Sequence, residues 1–427
     1  MRGMADGGGS GAGVGTTARQ SDGGRLVALD VTRTMAILGM IAVHVGGPHI
    51  DVPSGPWRVL SLAAGFAAGT FAVVAGVSLS LMNPPTSAGD ATRPGRTLHE
   101  GPAWLPTLLR GVLLFGVGLL VEPLSGAVLV ILCVYGVLFV VAPVLRGLPP
   151  AGLIGLGSVL AVGWPVVSLA ARRHWAERLG PPPLELTWGV LTGPDGGRTA
   201  ARILLLDGAY PVPTWLALAL IAWGAHRCGL LSRGVAGLPR LAALSSGLLA
   251  LGFGGAALVE AVWHPRAQAI ATAVATGYDP QEAARLVDHA YGVPYAAEWP
   301  LLLIAGHHTG TPFELVQILA VALTCHTLAA VLGAAGRPGS AVAGVLAWPG
   351  RIALTVYVGH LAALWWTDWS WLAGGSLQQT SGPAVRALAV FWIVAFAVGG
   401  LFRHRRGPLE WALHHLTHPH NLLMLRR

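Results

Sequence analysis

The stretch Asp30–His44, DVTRTMAILGMIAVH, opens the first long apolar run of the chain. An α-helix turns about 100° per residue, so Asp30, Arg33 and His44 fall on one narrow stripe of a helix. At about 1.5 Å per residue, Asp30 and His44 are about 21 Å apart along the helix axis. Ionisable groups that face lipid are costly. The stretch therefore predicts a membrane-spanning helix whose polar stripe faces other helices or water.

The composition of the whole chain agrees with this prediction. Of its 427 residues, 53% are hydrophobic and only 11% are charged, and the mean hydropathy is +0.61. Soluble domains are about a quarter charged. Apolar runs of about 20 residues recur without the alternation expected of a β-barrel. The sequence predicts an all-α fold, a polytopic transmembrane helix bundle in a lipid bilayer.

The apolar runs also predict the organisation of the chain. A disordered cytoplasmic tail is predicted for 1–24, a transmembrane domain for 25–405 and a cytoplasmic C-terminal tail for 406–427. Arginine collects in cytoplasmic loops, and its distribution here favours an N-in/C-in orientation. About ten spans are predicted, over 27–47, 57–82, 104–121, 125–145, 151–171, 213–231, 242–263, 313–334, 346–367 and 384–402.

The charge of the chain indicates a compartment rather than a nucleic-acid partner. The formal net charge is +8, and all 27 basic residues are Arg. With abundant Ala, Gly and Pro, this composition is typical of a high-GC bacterial genome and predicts a bacterial cytoplasmic (inner) membrane. We expect no nucleic-acid partner, because the positive-inside rule explains the excess of Arg.

The polar stripe of the first span has two interpretations. Asp30 and Arg33 are three residues apart, so they can form an ion pair on the helix surface. The pair is either a local anchor at the membrane surface or part of a functional track. His44 either forms a structural hydrogen bond between helices or acts chemically.

Further motifs lie along the chain in a defined order. The string RLVALDVTRTMAILGMIAVH (25–44), with Arg33 and His44 separated by ten residues, resembles the first helix of bacterial membrane acyltransferases that O-acylate surface sugars. The ordered set of motifs more closely resembles the heparan-α-glucosaminide N-acetyltransferase-like family. The other motifs are FAVVAGVSLSL (71–81), DGAYPVPTWLALALIAWGAHRCGL (207–230), HHTGTPFE (307–314), GRIALTVYVGHL (350–361) and GPLEW (407–411).

The resemblance implies an acyltransferase. We expect no metal, because the histidines of 414–420 lack Cys or acidic ligands beside them. The acyltransferase would move an acetyl or short acyl group from cytoplasmic acyl-CoA to an extracytoplasmic glycan or a small hydroxyl or amine acceptor. Guanidinium groups clamp phosphates, and the positive-inside rule is the alternative explanation of the same arginines. The expected donor path consists of Asp30, Arg33, Arg110, Arg227 and Arg351.

The resemblance also implies a histidine base, because the pKa of imidazole lies near neutrality. His44 is the candidate, and His49 competes with it because heparan-type members carry their essential histidine in the loop before the second helix. Direct and ping-pong transfer both stay open. The expected acceptor pocket consists of Ser78, Asp207, Tyr210, His307, His308, Glu314 and His360.

Several of these residues also have structural interpretations. His307 and His308 suit a hydrated loop, and His360 could bridge two helices. Thr311-Pro-Phe-Glu314 fits a capping box at a helix start. Two further function classes stay open: a carrier or flippase for a small polar or anionic solute, and a non-catalytic assembly partner. A homo-oligomer is also possible.

Overall fold

The computed structural model describes residues 14–47, 57–84, 102–126, 128–179, 184–231, 234–288, 299–367 and 382–418. Within these ranges the chain forms helices and no strand, so the all-α prediction is confirmed. The main helices are α1 (Val14–Gly46), α2 (Phe66–Met82), α3 (Leu105–Val121), α4 (Leu132–Leu145), α5 (Pro150–Leu179), α6 (Val212–Arg227), α7 (Val235–Trp263), α8 (Pro312–Ala334), α9 (Ala353–Trp366), α10 (Gly382–Leu401) and α11 (Pro408–Thr417).

Many of these helices are long and apolar enough to cross a membrane. In the described part of the chain, six helices meet both conditions, and α2, α4 and α9 are shorter apolar helices. The chain is therefore a membrane-spanning helical protein. The six are Val27–Gly46, Leu105–Leu124, Pro150–His174, Val235–Trp263, Pro312–Ala334 and Ala384–Leu401.

Some helices begin or end away from the predicted boundaries. α1 begins at Val14, inside the segment predicted as a tail. The predicted span 57–82 is divided at Gly65, whose φ of +76° is a left-handed conformation that glycine adopts without strain. The apolar run 346–367 is likewise divided at Ile352, and α9 begins after it. Both breaks shorten a helix that the apolar run alone would make longer.

α1 is the central helix of the part of the bundle that carries the polar residues. It contacts α2, α8, α9 and α10. Ile37 and Ile41 are fully buried in the main core. Close backbone contact extends this packing to α6, since a Cβ atom on Gly76 of α2 would overlap the Ala219 carbonyl. The polar stripe of α1 consequently faces protein rather than lipid.

Candidate functional site

Asp30 and Arg33 form an ion pair at one end of the polar stripe. Arg33 Nη1 donates to Asp30 Oδ1 at 2.7 Å and to the Gly350 carbonyl at 3.1 Å, and Nη2 donates to Ser78 Oγ at 3.1 Å. Arg351 Nε lies 3.5 Å from Asp30 Oδ2. Asp30, Arg33 and Arg351 are called the arginine cluster below. It joins α1, α2 and the segment before α9.

A close backbone approach positions the arginine cluster. Thr34 Oγ1 accepts a hydrogen bond from the Gly350 N–H at 2.8 Å and donates to the Asp30 carbonyl at 3.1 Å. A Cβ atom on Gly350 would overlap that same carbonyl oxygen. The chain can bring Arg351 next to Asp30 because residue 350 is glycine.

A cavity of about 300 Å³ opens beside the arginine cluster. Arg33, Arg351 and Ser78 line one end, together with Arg110 of α3 and Glu410 of α11. Most of the remaining wall is apolar or aromatic. These other lining residues include Met40, Phe71, Leu114, Tyr135, Phe139 and Tyr357.

The C-terminal helix α11 closes one side of this cavity. Glu410 Oε1 accepts hydrogen bonds from the backbone N–H groups of Leu354 and Thr355 at 2.7 and 3.1 Å, and Oε2 accepts from Thr355 Oγ1 at 2.6 Å. These N–H groups belong to the first turn of α9, where a helix has no internal acceptors for them. Leu413 of α11 also lines the cavity. Helix α11 is thus hydrogen-bonded to α9 and forms part of the site.

His414 of α11 is partly buried and lies near several cationic side chains. Burial, followed by the charges of Arg406, His418, His415 and Arg110, lowers the pKa of His414 in α11 to about 4. A histidine surrounded by cations loses its proton more readily, because like charges disfavour the charged form. Of the cations near His414, Arg110 also lines the cavity.

The other end of the polar stripe carries a histidine pair. His44 Nδ1 lies 3.0 Å from His360 Nε2 of α9. The Tyr357 ring contacts His360 edge-on, with 5.2 Å between ring centroids. His308 lies near Tyr210, with ring centroids 6.0 Å apart, and within electrostatic range of His44. Because Tyr357 also lines the cavity, the histidine pair is one side chain away from the cavity wall.

The Glu314 side chain forms hydrogen bonds with the loop that precedes α8. Thr311 caps the helix by accepting from the Glu314 N–H at 3.4 Å, so one half of the predicted capping box forms. The Glu314 side chain does not supply the other half, because the Thr311 N–H is directed at Thr309 Oγ1. The buried Glu314 carboxylate accepts from the backbone N–H groups of His308 and Gly310, the latter at 2.6 Å. This arrangement fixes His308 in a backbone conformation with φ of +60°. Glu314 therefore acts on the site indirectly, because it stabilises the loop that carries His307 and His308.

Other predicted site residues lie apart from the histidine pair. Ser78 binds Arg33 and belongs with the donor-path residues. The His307 ring contacts Phe66 edge-on, with centroids 5.4 Å apart. His49 lies outside the described residues, and of Asp207 only the backbone, at the end of a π-helical turn, is described.

Arg227 has a different environment from the other predicted donor-path arginines. Its guanidinium donates to the carbonyls of Arg146 and Leu148, each at 3.0 Å, and of Asn83 at 2.7 Å. It also packs on the Trp223 ring at 4.9 Å, and it does not line the cavity. In the described structure Arg227 ties the ends of α2 and α4 to the start of α5.

Replacing Arg227 by Ala is expected to lower the melting temperature of the detergent-solubilised protein by several degrees. The change leaves three carbonyls without their charged donor. An unsatisfied buried polar group lowers the folding stability by about 1–3 kcal/mol. The exposed Arg337 provides a matched control, because Arg337→Ala removes an equal charge without removing such contacts. Equal melting temperatures for the two variants would contradict the assigned role.

Sequence reasoning did not assign Glu410, Arg406, His414, Tyr135 or Tyr357 to the site. The motif GPLEW contains Glu410, and Gly-Pro before an acid is a plausible helix start. That signal places Glu410 on a helix but does not indicate that the helix returns to α9.

The comparisons with known proteins are limited to one part of the chain. Residues 289–420 match a family described as "Protein of unknown function (DUF418)". No curated protein matches the chain. The matched region contains His360, Arg351 and Glu410, whereas Asp30, Arg33 and His44 precede it.

Proposed function

We propose that this protein is an integral membrane acyltransferase. It moves an acetyl or other short acyl group from acyl-CoA to a glycan or a small hydroxyl or amine acceptor across the membrane. In this proposal the chain spans a bacterial cytoplasmic membrane about ten times, with both termini in the cytoplasm. The observation that carries the proposal is the cavity, which is lined by three arginines and by Tyr357, whose ring contacts His360 of the histidine pair.

The arginines and the apolar wall of the cavity suit different parts of acyl-CoA. CoA carries several phosphates at one end and its thioester at the end of a long, thin arm. Arg33, Arg110 and Arg351 suit the phosphates, since guanidinium groups bind phosphate oxygens bidentately. The apolar wall suits the arm, and a volume of about 300 Å³ is within the usual range of small-molecule sites.

The proposed reaction requires one base. His44 removes the proton from the acceptor hydroxyl or amine as that oxygen or nitrogen attacks the thioester carbonyl carbon. The C–S bond breaks, and the CoA thiolate takes up the proton from the imidazolium. An acyl-imidazole on His44 is the two-step alternative, in which the acceptor attacks after CoA has left.

The test is acyl transfer by the purified full-length chain in nanodiscs supplied with acetyl-CoA labelled in the acetyl group. Release of free CoA thiol and transfer of label to a panel of sugars and amines are measured together. We expect both signals in the wild type. The control is His326→Gln, because His326 is a buried histidine whose Nδ1 lies 3.5 Å from Thr32 Oγ1, outside the cavity lining.

The carrier alternative predicts a different result in the same preparation. Charged residues that face a cavity inside a helix bundle also mark transport pathways. Binding of acetyl-CoA without thiol release, combined with uptake of a labelled solute into proteoliposomes, would overturn the acyltransferase proposal. An absence of both binding and turnover would overturn it as well.

Binding of CoA is expected to raise the pKa of His414. Burial and neighbouring cations hold this pKa at about 4, so His414 is neutral at pH 7. Phosphates near Arg406 and Arg110 offset the positive field and favour the protonated ring. NMR titration of ¹³C-labelled histidine measures the shift, with adenosine as the phosphate-free control. An unchanged His414 titration at saturating CoA would contradict this phosphate position.

A further inference from the structure

The geometry of the histidine pair defines how its rings interact. The ring planes differ by 10°, and the centroids are 5.2 Å apart although the nitrogens Nδ1 of His44 and Nε2 of His360 are 3.0 Å apart. The centroid spacing is the N–N distance plus about one ring radius on each side, so the rings meet edge to edge. The lone pair of an imidazole nitrogen lies in the ring plane. One nitrogen therefore donates directly to the other.

The surroundings of His360 decide which nitrogen is the donor. His360 is 3% exposed, and its Nδ1 makes no hydrogen bond of good geometry to a described residue. The backbone carbonyls of Val356 and Tyr357, one turn earlier in α9, lie within electrostatic reach of the ring. Two carbonyl dipoles favour an N–H at Nδ1 over a second lone pair. A neutral ring with its proton on Nδ1 has its lone pair on Nε2.

We infer that His360 is a positioning residue that accepts a hydrogen bond from His44 Nδ1–H and thereby leaves the lone pair of His44 on Nε2. The inference rests on the proposed function, in which His44 is the base. His44 is the more accessible ring of the pair, as a group that meets the acceptor must be. The arrangement has the logic of a triad in which a second histidine replaces the carboxylate that orients the base.

The inference gives His360 a role distinct from the acceptor pocket. It makes no contact with substrate, and it sets the tautomer of the ring that does. His308 faces the same pair from the loop before α8, and Glu314 holds that loop by backbone hydrogen bonds. The tautomer therefore depends on α9, while the loop places His308 within electrostatic range of His44.

The first test is the protonation pattern of His44, read from ¹⁵N chemical shifts of histidine-labelled protein. The His44 signals are assigned by their loss in His44→Gln. We expect the proton on Nδ1 in the wild type. In His360→Phe, which keeps a ring but removes the acceptor, we expect the proton to move largely to Nε2. A wild-type His44 protonated on Nε2 would overturn the inference.

The second test compares two replacements of His360 in the acyl-transfer assay. His360→Phe is expected to lower kcat about 100-fold with little change in KM for acetyl-CoA. His360→Gln is expected to recover much of that loss, because its amide oxygen can accept where Nε2 does. His326→Phe, the same change at another buried histidine, is expected to keep wild-type kcat.

Each outcome separates the inference from the proposed function. Equal loss in the Phe and Gln variants, or a rise in KM alone, would assign His360 to packing or binding and overturn the inference. A wild-type protein without transfer activity would overturn the proposed function and, with it, the positioning role. The ¹⁵N shifts would then still report which nitrogen donates in the pair.

Discussion

Replacing His44 by Gln is expected to lower kcat for acetyl transfer at least about 100-fold, the smallest effect usual for loss of a general base. The Gln amide can donate to His360 Nε2, 3.0 Å from the present donor. His360 therefore keeps a hydrogen bond. The variant avoids the loss of about 1–3 kcal/mol of folding stability that an unpaired buried group would cause. Binding of CoA is expected to stay within about twofold, because Arg33 of the arginine cluster lies about 16 Å from His44 along α1. Turnover and CoA affinity are measured on the same preparation.

Two controls make the His44 result specific. His326→Gln makes the same change at a buried histidine that does not line the cavity and is expected to retain activity. His49→Gln tests the histidine that the sequence could not separate from His44. Full activity in His44→Gln together with loss in His49→Gln would transfer the role of the base to His49.

The sequence predicted the all-helical, membrane-spanning class of the fold because apolar length is a local property. The stripe of α1 follows from the helical period alone, and the structure turns Asp30, Arg33 and His44 toward neighbouring helices. The breaks at Gly65 and Ile352 were not predictable in this way. Each break depends on the backbone angles of one residue inside an apolar run, and the apolar character of the sequence does not change at that residue.

In the site, only the contacts between residues that are close together in the sequence were predictable. The Asp30–Arg33 pair follows from i, i+3 spacing. Ser78 and Arg227 show the limit, because the direction in which each faces depends on how α2 and α6 pack. Glu410 is more distant still, since it binds the first turn of α9 more than 50 residues earlier. Long-range contacts of this kind leave no periodic signal in one sequence.

Both ends of the site combine α1 with the region matched by the family of unknown function. Arg33 contacts Gly350 at one end, and His44 contacts His360 at the other. Residues 350 and 360 both lie within the match over 289–420. The family region therefore holds Arg351 of the arginine cluster and His360 of the histidine pair, and α1 supplies the other members of both. Neither cluster is complete without both parts of the chain.

Arg33→Ala is expected to destabilise the protein by about 3 kcal/mol and to weaken CoA binding at least about tenfold. The side chains of Asp30 and Arg33 are 18% and 19% exposed, so removing one partner leaves a largely buried charge. Arg351, 3.5 Å from Asp30, compensates for only part of the loss. The double change of Asp30 and Arg33 to Ala is expected to restore part of the stability but no CoA binding.

The Arg266–Asp288 pair provides the matched control for Arg33. Its atoms are also close, with Nη2 and Oδ2 2.6 Å apart, but its side chains are 45% and 39% exposed. Exposed pairs contribute about 0.2–1 kcal/mol, so Arg266→Ala is expected to change the melting temperature little and CoA affinity not at all. Melting curves and CoA titrations of all four proteins measure both effects. Equal effects of Arg33→Ala and Arg266→Ala would show that the burial of the α1 pair has no energetic role, and unchanged CoA affinity in Arg33→Ala would remove Arg33 from the donor site.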